Sequence, residues 1–375
     1  MQKKIIALAI AGLSSAAFAQ TNVTIQGLFD TGYQNFKAEA AGVTTTTNRW
    51  GSASNTATTN LTFVVNEDLG GGMKAGLWLE TDPVAGSNQL TGAAAAPAGA
   101  AAAGTTAFWN SQNYLFVSGN FGKVSLGFMN NFALTTALTA QPFGVGMGGG
   151  YSGAFGRLAG ATVIGAPTFV ALGGNTAGVR DIRANNSIKY DTPTWNGFSA
   201  GLIYRSPNSG VNNAAGDADG QVQIGANYNN GPLNVSYTNS NIMSNINSLT
   251  LGATNTTHNL FAANYTFGTF TAMAGWTSSK NNVSPARTVD SRSWNVAFKW
   301  QATPTLAVMG NVLKADDKLA ANQDRDLNAL GVDYSMSKRT TAYARWENGD
   351  NDKSAATGSG TGKFTRYAFG LRHSF

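Results

Sequence analysis

Arg366-Tyr-Ala-Phe-Gly-Leu-Arg-His-Ser-Phe375 ends the chain, and its alternate residues suit two different surroundings. One set is Tyr367, Phe369, Leu371, His373 and Phe375; the other is Arg366, Ala368, Gly370, Arg372 and Ser374. Large apolar groups on one side and small or cationic groups on the other, with a period of two, mark a strand set between two media. A long apolar strand left open at a chain end is a hazard. The pattern therefore predicts that this segment pairs with the first strand and closes a barrel.

Upstream, the same two-faced text recurs. The first run holds Val23, Ile25, Phe29 and Tyr33 on one face, followed by a loop through Thr44 to Thr47. Leu61, Phe63 and Val65 form the next run. Met73, Ala75, Leu77 and Leu79 oppose Lys74, Gly76, Trp78 and Glu80 in the third. Near 110–118 the faces do not separate, because Tyr114 and Phe116 oppose Leu115 and Val117. Further runs follow around Leu126, Ile188, Leu202, Ile224, Val235, Phe261, Ala274, Val296, Val308, Val332 and Ala344. Short turns rich in Gly, Asn and Pro take turns with long polar connections. That predicts an all-β, sixteen-stranded antiparallel transmembrane β-barrel, with tight turns on the periplasmic side. The longest connection, Asn130 to about Val179, has its place inside the barrel, folded inward and narrowing it.

Composition agrees. Charged residues are 12% of the chain, about half the ~25% of soluble domains. With no Cys and two His, disulfides, thiol chemistry and Cys-based zinc are excluded, and no metal or cofactor site is expected. Lys3 and Lys4, the apolar run Ile5 to Leu13 and Ala17-Phe-Ala19 predict a signal peptide over 1–19 and a barrel over 20–375. Cleavage leaves 356 residues, and loss of the two Lys takes the formal charge from +6 to +4. No remaining segment is long and apolar enough for a transmembrane helix, so a spanning chain must be a closed barrel.

If the apolar faces meet lipid, the lumen wall carries Asn60, Lys74, Glu80, Ser125, Arg183, Ser199, Asn227, Asn295, Lys299, Arg345 and Glu347. Sixteen strands enclose more space than side chains fill, so the lumen is expected to be wet. A wet hole conducts small solutes, selected by its width and wall charge.

Five stretches in order carry a family resemblance: Asn66-Glu-Asp-Leu-Gly-Gly-Gly-Met-Lys-Ala75, Asn120-Phe-Gly-Lys-Val-Ser-Leu-Gly127, Arg183-Ala-Asn-Asn-Ser-Ile-Lys-Tyr190, Ser335-Met-Ser-Lys-Arg-Thr340 and Gly370-Leu-Arg-His-Ser-Phe375. The mature chain resembles the general, non-specific trimeric porins of Gram-negative bacteria. The resemblance implies an outer-membrane homotrimer, passive diffusion of small hydrophilic solutes and ions, and a third loop folded inward with its constriction near Gln141, Pro142, Phe143 and Gly144. It also implies that Phe375 is the signal read by the barrel-assembly machinery, and that lipid and lipopolysaccharide surround the protein. The chain departs from the family pattern at Asn60 and Phe128, where Arg is usual, and in having no acid around Gln141 to Gly144. These departures predict a weakly charged constriction with mild anion preference, resting on Arg183 together with Arg157 and Arg180.

Other readings carry less. Gly144 to Gly150 lacks the Lys-Ser/Thr of a phosphate cradle. His258 and His373 have no identifiable Ser partner, so no catalytic residue is assigned. Basic residues are scattered, with no stripe for nucleic acid. The loop acids Asp316, Asp317, Asp324, Asp326, Asp350 and Asp352 read as solvated. The alternatives kept are a solute-selective channel and a structural or adhesive barrel with a plugged lumen.

Overall fold

The computed structural model describes residues 22–40, 43–51, 55–83, 108–149, 183–206, 220–244, 254–281, 290–318, 324–351 and 362–375. Its strands are β1 (Asn22–Ala40), β2 (Val43–Trp50), β3 (Asn60–Gly70), β4 (Met73–Thr81), β5 (Asn113–Gly119) and β6 (Gly122–Asn130). One helix lies among the described residues, α1 (Phe132–Thr139), and it comes next. Next come β7 (Arg183–Asp191), β8 (Phe198–Arg205), β9 (Gly220–Asn230), β10 (Leu233–Ser244), β11 (Thr254–Phe267) and β12 (Phe270–Asn281). The last strands are β13 (Asp290–Gln301), β14 (Leu306–Asp317), β15 (Arg325–Ser335), β16 (Thr340–Asn351) and β17 (Gly362–Ser374).

Each strand pairs antiparallel with its neighbours, and β17 returns to β1. Phe375 completes the seam: its N–H donates to Gly27 O at 3.1 Å, and Gly27 N–H donates to Phe375 O at 3.2 Å. A side chain on Gly27 would put its Cβ 2.5 Å from Phe375 Cζ, so glycine is what admits the ring there.

The wall has sixteen positions although the described residues form seventeen strands. Asn22 to Leu28 of β1 pair with β3, while Tyr33 to Ala40 pair with β2, so β2 and β3 share one position at different heights. The expected loop through Thr44 to Thr47 is therefore a strand. Its β-branched run is fit for extended backbone, and β1, at 19 residues, offers it an edge. Strands also run on into stretches expected to be loops, as where β14 and β15 pair from Ala315↔Arg325 downward. Polar residues above the apolar band still satisfy the ladder.

The two faces are sharply distinct. Ile224, Phe261, Val296, Leu330 and Phe369 are exposed on the outside, each at least 45%. Their immediate neighbours Gln223, Ala262, Asn295, Ala329 and Ala368 are nearly fully buried. At β5 the unresolved parity settles: Leu115 and Val117 are exposed outward, while Tyr114 lies beside Trp78 on the inner side. Among the described residues no helix is long and apolar enough to cross a membrane; the crossing is made by strands.

Candidate functional site

Residues 131–149 lie against the inner face of the wall. Two local features launch them inward. The β6–β7 register slips between Gly127 and Met129, and Asn186 takes a left-handed φ of 48°. Such bulges re-aim side chains, and this one sits beside Arg183. Asn131 then caps α1, its Oδ1 accepting from Leu134 N–H at 3.1 Å. Gln223 of β9 accepts from the N–H groups of Phe132 and Ala133 at 2.5 and 3.2 Å. These bonds satisfy donors that a helix start leaves free.

From there the segment is fastened strand by strand. Thr136 Oγ1 shares hydrogen bonds with Ser236 and Thr238 of β10, both 2.8 Å. Asn264, Asn295 and Asn311 donate to the carbonyls of Thr139, Ala140 and Gly148 at 3.0, 2.7 and 3.0 Å. Glu347 of β16 accepts from Gly148 N–H at 2.5 Å. Met147 N–H reaches Asn55 O at 2.9 Å. Beneath α1, Ala133, Ala137 and Ala140 pack with Leu260, Ala262, Leu313 and Leu327. These wall residues have inward parity, and an apolar group there needs a cover.

The four constriction-loop residues expected from sequence have different surroundings. Gln141 is buried and staples a turn: Nε2 donates to Gly144 O at 2.9 Å and Oε1 accepts from Phe143 N–H at 2.6 Å. Gly144 has φ 62°, which a side chain would strain. Pro142 separates Gln141 from Phe143. Phe143 points into the wall between Met309 and Ala329, 3% exposed, with the Arg345 guanidinium 5.6 Å from its ring. It is an anchor, and its ring does not line the lumen. Arg157 and Arg180 lie outside the described residues.

Acids accompany the wall arginines, Asp82 and Asp333 joining the Glu80 and Glu347 expected from sequence. Arg183 donates to Asp82 at 3.3 Å and to Asn130 at 3.1 Å, and is 4.0 Å from Glu80. Glu80 also accepts from Trp78 Nε1, Ser111 Oγ and Gln112 Nε2 at 2.9, 2.5 and 3.2 Å. Burial pushes the Asp82 carboxyl, just beyond β4, up to about 6; Arg183 opposes that shift and Glu80 adds to it. Across the barrel Asp333 takes Arg345 at 2.5 Å and Arg372 at 3.6 Å, and Glu347 pairs with Arg366. Asn60 donates to Thr58 O at 3.3 Å. Lys74 and Lys299 face inward near the short-turn end, away from the inserted segment.

One buried acid was not singled out from sequence. Asp30 is fully buried and its carboxylate accepts from Thr56 N–H, Thr56 Oγ1 and Ala57 N–H at 2.7, 2.8 and 2.9 Å, and from Tyr343 OH at 2.6 Å. Tyr343 reaches it across β17, where Gly370 leaves the path clear. The readable signal was an acid at inward parity, the one charged residue from Val23 to Phe36. The histidines also need correction. His258 Nδ1 is 2.8 Å from Ser279 Oγ on the next strand, and His373 Nδ1 is 2.9 Å from Thr340 Oγ1. Strand register, which sequence separation hides, supplies these partners.

A family model described as Gram-negative porin matches residues 6–354, nearly the whole chain. The chain belongs to that family. It is similar to the outer membrane porin protein 32 of Delftia acidovorans, with 30% identity over 63% of this chain and 58% of the relative. It is similar along its full length to the major outer membrane protein P.IB of Neisseria meningitidis serogroup B, with 25% identity over 100% of both chains. In the first-matched relatives, then, this porin spans a little under three fifths of their length. Its fold is that of an anion-selective porin from Comamonas acidovorans, with TM-score 0.74, 24% identity, and 95% and 100% of the two chains covered. The porin is thus an integral β-barrel protein of the Gram-negative outer membrane.

Proposed function

We propose that this porin is a water-filled channel for passive diffusion of small hydrophilic solutes and ions, working as a homotrimer among outer-membrane lipid and lipopolysaccharide. The observation that carries the reading is a closed sixteen-position wall, apolar outside and hydrogen-bonding inside, with an inserted segment that hugs the wall. The test is single-channel current of the purified protein in planar bilayers, with liposome swelling in sugars of increasing size. Stepwise KCl conductance and swelling rates that fall with sugar size support it. A silent bilayer overturns it in favour of a plugged, adhesive barrel, and fast swelling confined to one sugar would indicate a solute-selective channel.

The reading includes removal of residues 1–19 on export. Amino-terminal sequencing of protein from outer membranes should begin at Gln20; a start at Met1 would refute cleavage.

Mild anion preference follows from the wall. Among the described side chains, inward positions hold Arg49, Lys74, Lys123, Arg183, Lys189, Arg205, Lys299, Arg345, Arg366 and Arg372 against Asp30, Asp68, Glu80, Asp82, Asp191, Asp333 and Glu347, ten cations to seven acids. The Asp82 carboxyl is charged above about 6 and neutral below it. Acidification through that value removes one negative charge beside Arg183. The anion-to-cation permeability ratio, from reversal potentials across a KCl gradient, should therefore rise as the pH falls through about 6. Asp82→Asn should show the higher ratio at neutral pH and lose that step. A ratio that falls on acidification would contradict the assignment.

A further inference from the structure

We propose that the inner wall between β4 and β7 carries a binding site for small aromatic carboxylates. The proposal rests on the channel reading above and deepens it, since the site lies in the same lumen. Register places Trp78 beside Tyr114 on adjacent strands, with Phe116 next along β5. The Trp78 and Tyr114 rings are 6.2 Å apart with planes only 6° from parallel. Glu80 holds the indole by a 2.9 Å hydrogen bond from Nε1, so the platform has a fixed orientation. Lys123 Nζ sits 5.1 Å from the Tyr114 ring centre and 4.5 Å from that of Phe116. One strand further on, Lys189 Nζ lies 4.5 Å from the ring of Phe132, the first residue of α1.

The backbone makes room for these rings. A Cβ on Gly76 would come 2.3 Å from Phe116 Cζ, and Cβ atoms on Gly201 and Gly225 would each come 2.4 Å from the Phe132 ring. Glycine at these three places lets large rings lie flat on a wall facing water. The rings are half-buried, so each keeps surface on the lumen side.

The chemistry of the patch selects its ligand. Parallel ring faces favour a planar ring, whose stacking adds to simple burial. An ammonium held over a ring keeps its hydrogens for an anion while retaining the cation–π contact. Lys189 also pairs with Asp191 at 3.3 Å. At the end of the patch where a carboxylate would dock, Lys123 and Lys189 against Asp191 leave one net positive charge; Glu80 lies at the opposite, Trp78 end, where Arg183 stands 4.0 Å from it. A solute with its ring on Trp78 and Tyr114 would bring its carboxylate to Lys123.

Single channels in KCl with added benzoate test this, with cyclohexanecarboxylate and acetate as charge-matched controls. Benzoate should interrupt the current in a concentration-dependent way, with a half-blocking concentration about fivefold or more below that of cyclohexanecarboxylate. Lys123→Gln and Tyr114→Leu should each raise the benzoate value by a similar factor, while Tyr114→Phe, which keeps the ring, should not. The comparison of the two acids uses the native protein alone, so it stands even where a variant fails to insert. Absence of any KCl current would sink the channel reading. A normal KCl current with equal blocking by benzoate and cyclohexanecarboxylate, or blocking unchanged in Lys123→Gln, would overturn this site and leave the channel reading intact.

Discussion

Asp30→Ala should yield a channel with larger and noisier single-channel current and a measurably weaker barrel. The carboxylate is fully buried and takes four hydrogen bonds from Thr56, Ala57 and Tyr343. Truncating it leaves those donors facing a void, and each hydrogen bond lost to a charged group costs about 1.5–3 kcal/mol. The loss reaches the lumen through a short path. Residues 55–57 are held to the wall by Asp30, and Asn55 O in turn holds Met147 N–H at the far end of the inserted segment. Tyr343→Phe removes one of the four bonds to Asp30 together with the 3.1 Å bond from Asn55 Nδ2 and should cost about 2 kcal/mol, so the two variants separate the whole latch from its Tyr343 arm. Electrophoretic mobility after graded heating would report the stability change, and bilayer recordings the noise. Native-like current and heat resistance in Asp30→Ala would show that the inserted segment needs no such latch.

Deleting Phe375 should remove most folded protein from the outer membrane while leaving a chain that still refolds in detergent. The deletion costs two backbone hydrogen bonds to Gly27 and an outward-facing ring. At about 1 kcal/mol per bond, that is small beside the ladder joining β1 and β17 from Leu28↔Ser374 to Ala40↔Gly362. A large loss in cells with a small loss in detergent would therefore report recognition by the assembly machinery. Equal losses in both settings would reduce Phe375 to a seam residue, and no loss in either would dismiss both roles.

The wall was legible because lipid and water impose opposite demands on neighbouring residues, and Tyr367 to Phe375 record both. Where that contrast fails, the text is silent. The Thr44 to Thr47 run shows no faces, so β2 could not be told from a loop. Tyr114 and Phe116 face inward as aromatics, against the polar rule that sorted the other strands. Phe132 to Thr139 scatters Phe, Leu, Ala and Thr over every side, so α1 gave no periodic signal beyond its Asn131 cap. Yet its docking place was written on the wall: Leu260, Ala262, Leu313 and Leu327 sit at positions where a bare, wet lumen would call for polar groups. The ion pairs of Arg345, Arg366 and Arg372 depend on cross-strand register, which no local pattern reveals.

An inserted segment with an apolar underside and a polar fastening on strand after strand does not yield to a passing molecule. Lifting α1 would wet Leu260 and Leu313 and strand the amides of Asn264 and Asn295. On the proposed channel reading, residues 131–149 accordingly form a rigid rim, with a cutoff set by geometry. Throughput should then drop steeply over a narrow span of solute size, with little of the gradual decline that a yielding gate would give.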